Sequence, residues 1–127
     1  MQTETIFENR TFQSDGATSS RDYTSKPTNA PANAKHMIAF LDINSLDSNV
    51  RIQVDYEDSA DGVNWHNKTT TVLDTGDTTA ADIDVYRGSV GESFGAWARF
   101  NVRISPLSGA GGPVEANASL KVVFKPF

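Results

Sequence analysis

Cysteine is absent from these 127 residues. That removes disulfides, thiolate metal sites and a cysteine nucleophile, and it leaves the redox compartment open. Histidine is scarce: His36 and His66 are the only imidazoles, and no serine elbow, metal-binding histidine pair or phosphate-binding glycine loop accompanies them. The "GAGG" at 109–112 lies between expected strands and leads into no helix, so it reads as a loop rather than a phosphate cradle. No enzymatic activity and no cofactor are therefore expected. No apolar run approaches the length of a membrane span. "MQTETIFENR" has neither the positive leader nor the apolar core of a signal peptide, so neither a membrane partner nor classical export is expected. Positive charge is also in short supply, with 11 basic against 16 acidic side chains and a formal net charge of -5. Arg99, Arg103, Lys121 and Lys125 are spread along expected strands instead of clustering, which argues against a nucleic-acid partner.

What is present is alternation. In "VRIQVDYED" the residues Val50, Ile52, Val54 and Tyr56 alternate with Arg51, Gln53, Asp55 and Glu57, the pattern of a strand with one buried and one wet face. "WARFNVRI" repeats it, with Ala98, Phe100, Val102 and Ile104 against Trp97, Arg99, Asn101 and Arg103. Leu120, Val122 and Phe124 do the same near the end of the chain. "HMIAFLDI" is apolar on both parities, because Ile38 and Phe40 interleave with Met37, Ala39, Leu41 and Ile43. It is read as a more fully covered central strand, or as one facing a partner subunit. Weaker strands are expected around Thr5 to Phe12, Ser20 to Ser25, Trp65 to Leu73 and Ile83 to Tyr86. Between them, "SDG" at 14–16, "SKPTNAPANA" at 25–34, "DTGDTTAAD" at 74–82 and "SPLSGAGGPVE" at 105–115 carry the residues of turns and loops. No helical period is present. About eight short strands imply an all-β fold, a two-sheet antiparallel β-sandwich or jelly roll. Residues 1–12 are read as an N-terminal arm or edge strand and 13–127 as a single β-sandwich domain.

Two tryptophans are the candidate functional residues. In "SADGVNW", residues 59–65, Asp61 and Gly62 suit a hairpin turn because glycine takes the positive φ such turns need. Trp65 then packs near the turn, over the edge of the sandwich; the rival is an exposed aromatic platform for a sugar ring, with Asn64 or His66 beside it. Trp97 shares parity with Arg99 and Arg103, away from Phe100, so it faces outward and needs a cover: a loop, a neighbouring subunit or a ligand. Arginines beside an aromatic are typical of protein interfaces, which makes Trp97, Arg99 and Arg103 interface candidates. The acidic residues Asp55, Glu57, Asp58 and Asp61, then Asp74, Asp77, Asp82 and Asp84, lack the EF-hand spacing and are read as a solvated edge with no metal. Nothing among these acids selects a glycosidase pair.

The order of these features resembles a class of small β-sandwich virion accessory proteins of tailed bacteriophages. "RTFQSDGATSSRDYT" is followed by "HMIAFLDINSL", then by "VRIQVDYEDSADGVNW" with its S-x-D-G-x-x-W hairpin, and finally by "WARFNVRI" and a β-rich tail. The resemblance covers the chain from about Arg10 onward, and "MQTETIFENR" does not align to a shared motif. It implies a capsid decoration, or cement, protein that binds the outer surface of the head. The implied partners are the major capsid protein and further copies of the chain in a homo-oligomer, a trimer being one form. The implied location is the virion, assembled in the host cytoplasm and released by lysis. A tail or baseplate accessory protein has the same features. The S-x-D-G-x-x-W hairpin also occurs in carbohydrate-binding and adhesion sandwiches, so a module of that kind is the alternative.

Overall fold

Residues 2–66, 70–78, 83–91 and 95–126 are described by the structure, a computed structural model. The described strands are β1 (Gln2–Gln13), β2 (Arg21–Thr24), β3 (Thr28–Asn29), β4 (His36–Leu46), β5 (Val50–Ser59), β6 (Thr70–Asp74), β7 (Val85–Val90), β8 (Trp97–Pro106) and β9 (Glu115–Lys125). All pairings are antiparallel. Part of the strand expected from Trp65 to Leu73, residues 67–69, and part of the 74–82 connector, residues 79–82, lie outside the described residues.

The alternation read in the sequence sets the inside. Val50, Ile52, Val54 and Tyr56 of β5 stand opposite Pro106, Ile104, Val102 and Phe100 of β8, and all of these but half-buried Pro106 are buried. Met37, Ala39, Leu41 and Ile43 of β4 stand opposite Phe124, Val122, Leu120 and Ala118 of β9, equally buried. Each pair is extended sideways into a sheet. The four-stranded sheet has the order β1-β9-β4-β7, and the other has β2-β8-β5-β6 with β3 also paired to β8. β2 and β3 are successive parts of one broken strand: between them buried Ser25 exchanges hydrogen bonds with Phe100, its N–H donating to the carbonyl at 2.8 Å and its Oγ accepting from the N–H at 2.9 Å. Consecutive strands therefore alternate between sheets through most of the chain, the connectivity of a jelly roll. β3 was not expected, because Pro27 and Pro31 gave its surroundings the composition of a loop. Residues 2–13 form one long edge strand on β9, from Gln2 opposite Phe124 to Gln13 opposite Glu115.

The two long sides of the sandwich differ. On one, β6 and β7 draw together where Gly88 faces the backbone of Val72; a β-carbon there would sit 1.9 Å from the Val72 carbonyl oxygen. On the other, β1 and the β2–β3 pair leave a polar cleft lined by Thr5, Arg10, Thr24, Lys26 and Thr28. Phe7, Phe12 and Tyr23 hold this second side through edge-to-face contacts at 5.4 and 5.0 Å.

The closed side gives a direct test. Gly88→Ala forces β7 away from β6 and is expected to cost at least the ~1–3 kcal/mol of an overpacked core. Gly111→Ala, where a β-carbon meets nothing within 4 Å, is expected to be neutral. Denaturant midpoints of the two variants check this.

Candidate functional site

At one end of the five-stranded sheet, β5 runs into the "SADGVNW" loop. Ser59 Oγ accepts the Gly62 N–H at 2.9 Å and donates to the Asn64 carbonyl at 2.6 Å. Asp61 ties the turn together: Oδ1 accepts the N–H groups of Val63 and Asn64 at 2.9 and 2.8 Å, and Oδ2 accepts from the Asn64 amide at 2.9 Å. These donors, the Asn64 N–H first, hold the Asp61 carboxyl well below the ordinary value of 3.8. Gly62 takes a φ of 78°, which a side chain would strain. Trp65 closes the loop by bridging back to Ser59.

Trp97 opens β8 on the outer face of the sheet, opposite both Ser59 of β5 and Asn29 of β3. The cover that its parity called for is a loop. Gly62 lies against the indole so closely that a β-carbon would be 3.1 Å from the ring. Trp65 rests on the same outer face. The Arg99 guanidinium lies 4.3 Å from its ring centroid, and Arg99 in turn donates to Glu57 Oε2 at 2.7 and 3.1 Å. Both indoles are half-buried, and Val63 at the loop tip is 77% exposed.

Arg103 lies farther along the same face, paired with Asp22 of β2 at 2.8 and 3.1 Å. Arg51 is paired with Asp74 of β6 at 2.6 and 3.1 Å. Asp55 accepts the Thr71 hydroxyl at 2.8 Å. Hydrogen bonds from Arg103 hold Asp22 below the usual carboxylate range, and those from Arg51 do the same for Asp74. The structure thus brings Asp61, Gly62, Trp65, Trp97 and Arg99 together at one end and leaves Arg103 apart from them. Asp58 accepts the Gly95 N–H at 2.7 Å and lies 3.8 Å from the His66 imidazole. Among the described residues no three of His, Asp and Glu come together to hold a metal ion.

A second feature, on the outer face of the four-stranded sheet, escaped sequence reasoning. Asn44 of β4 donates to Asn9 and Asn117 at 3.0 and 2.9 Å, and Asn117 of β9 donates to the Asn9 carbonyl at 3.0 Å. Asn9, with a φ of 45°, sits in the bulge of β1. Left-handed backbone is tolerated by asparagine, but no local signal joins three asparagines this far apart in sequence.

No protein-family model matches the chain, and no curated protein is similar to it in sequence. Solved structures do share its fold. A chain in the structure of infectious bursal disease virus, Gx strain, superimposes with a TM-score of 0.70 at 15% identity, over 95% of this chain and 30% of that one. The enzymatically active domain of tailspike protein 4 from bacteriophage CBA120 gives a TM-score of 0.50 at 6% identity, over 96% of this chain and 19% of that one. This chain therefore spans less than a third of either. The β-sandwich is shared, and at these identities the likeness is one of fold.

Two outcomes follow from the loop and its carboxylates. Trp65→Ala removes the lid on Arg99 and part of a half-buried indole. It is expected to cost about 1–2 kcal/mol, between an exposed cation–π contact and a fully buried aromatic, with β5 and β8 intact by amide exchange. Asp22, Asp61 and Asp74 have lowered folded-state values, so their contribution to stability is present above the unfolded value of about 4 and is lost as pH falls toward the folded values. The urea midpoint should be flat from neutral pH to about 5 and fall below about 4, and Asp61→Asn should flatten that fall.

Proposed function

We propose that this chain is a structural protein of a tailed-bacteriophage virion, a head decoration protein that binds and reinforces the outer surface of the shell. The observation that supports this reading is the strand order: two antiparallel sheets, β1-β9-β4-β7 and β2-β8-β5-β6, form the jelly roll common among viral coat domains. The virus structure that superimposes over 95% of the chain agrees with it. The partner under this reading is the major capsid protein, with copies of the chain arranged as a homo-oligomer around the symmetry points of the shell. Such a role asks for many weak identical contacts added by multivalency and for no catalytic step.

The loop geometry supports a structural part for the two tryptophans over a sugar platform. One face of Trp65 is taken by Arg99 and one face of Trp97 by Gly62, so the rings are spent on fixing the hairpin to the sheet. The test is co-sedimentation with heads purified from the virus that encodes the chain, stripped of it. Saturable binding at a ratio set by shell symmetry is expected. Binding to detached tails alone would move the protein to the tail, and a change in tryptophan fluorescence on adding oligosaccharide, with no binding to particles, would overturn the virion reading in favour of a glycan-binding module.

A further inference from the structure

The outer faces of the two sheets treat their charges differently. On the five-stranded sheet Arg51, Arg99 and Arg103 each have a carboxylate within 2.8 Å. On the four-stranded sheet one row across three strands reads Arg87, Phe40, Lys121. Arg87 and Lys121 are exposed and form no ion pair with any described residue. Strand spacing sets the Cα positions of the two cationic residues about 10 Å apart, one on each side of Phe40. The next row, Ser89, Ile38, Val123, continues the apolar surface, and Val85, one row the other way beside Asp42, is 53% exposed. Ile38, Phe40 and Val123 are half-buried by their neighbours alone. A chain with a net charge of -5 thus keeps two cations without a carboxylate partner among the described residues around an apolar outward surface.

We propose that this face, centred on Phe40 between Arg87 and Lys121, is the surface that docks on an acidic protein surface of the particle; the proposal rests on the virion reading above. An aromatic with a flanking arginine is a usual composition for the anchored centre of a protein interface. Charge selects the occupant. Two copies meeting through the same face would bring Arg87 and Lys121 of one against those of the other, and like charges so placed oppose association. An acidic partner neutralises both while covering Phe40. Three strands wide, the patch is small beside the roughly 800 Å² per partner of a standard interface, so one copy binds weakly and the particle holds it by repetition.

The experiment compares stripped heads, detached tails and immobilised heparin as binding surfaces for the wild-type chain, Phe40→Ser, the double variant Arg87→Glu with Lys121→Glu, and Val63→Glu at the loop tip beyond β5. The charge-reversed pair lies at exposed positions, so it tests the face even if Phe40→Ser unfolds; circular dichroism reports which variants remain folded. Wild-type binding to particles that weakens with added salt, falls about tenfold or more in the double variant and is unchanged in Val63→Glu supports the proposal. Binding to heads by wild type and double variant alike overturns it and leaves the decoration reading standing. Binding to tails alone, lost in the double variant, keeps the docking face and overturns the head assignment. Absence of binding to either particle overturns both, and loss confined to heparin reassigns the face to an anionic glycan and overturns the proposal.

Discussion

Each of the four central strands, β4, β5, β8 and β9, has one face that water does not reach, and the rest of the molecule is arranged around that condition. Phe12, Met37, Leu41, Phe100, Ile104 and Leu120 are completely inaccessible, and their alternation fixes which side chains remain for the outer faces. A one-residue slip in any pairing would exchange the two sets. The condition also explains where polar chemistry is found. Buried hydroxyls such as Thr78, which donates to the Val50 carbonyl at 2.7 Å, serve the backbone, and no buried side-chain nitrogen or oxygen among the described residues lacks a partner. Charge lies on the outer faces, at the loop ends and in the cleft between β1 and the β2–β3 pair, where Arg10 stands over Phe7 and Tyr23; there water screens it and neighbouring side chains compete for it.

The two outer faces resolve that competition in opposite ways. On the five-stranded sheet the antiparallel register puts Glu57 beside Arg99 and Asp55 beside Asn101, so an inventory of charged side chains becomes a set of pairs internal to the domain. The S-x-D-G-x-x-W loop then folds over the end of this lattice, with the indole of Trp65 as a cap on its last arginine. On the four-stranded sheet the amides of Asn9, Asn44 and Asn117 satisfy one another at one end. At the other end Arg87 and Lys121 flank Phe40 and form no ion pair with any described residue. A face that completes its own bonds resists partners, and a face that does not invites them.

Much of the inside was legible in the sequence because period two is a local property. The buried sets of β4, β5, β8 and β9 can be read from short windows, and so can the double-sided apolarity of β4 that raised the prospect of a partner. Pairing could not be read. That Trp97 faces outward follows from parity, but that Gly62 covers it depends on how a loop folds back across a register that sets Ser59 of β5 opposite Trp97 of β8. Arg99 was marked as an interface candidate from its composition, and its bond to Glu57 emerges only once β5 and β8 are aligned. Arg87 offered no signal, since its significance lies in Phe40 and Lys121 on two other strands. β3 was hidden for a different reason: its two residues lie between Pro27 and Pro31 and are held by pairing with β8.

The pairing of β1 with β9 has a consequence in time. Gln2 sits opposite Phe124, so the first of the described strands is completed by the last of them. During synthesis β1 has no native partner until β9 has cleared the ribosome, and the central pair of β4 and β9 waits equally long. Sheet closure of this kind is non-local, and loop-closure entropy makes it slow. Through that interval β1 is a lone strand twelve residues in length, open to mispairing with its neighbours on a polysome. Its two irregularities, between Thr5 and Phe7 and between Phe7 and Arg10, together with the charges of Glu4, Glu8 and Arg10, spoil the flat edge that such mispairing needs. The bulge that seats Asn9 in the finished sheet therefore also acts as a safeguard while the sheet is still missing its other half.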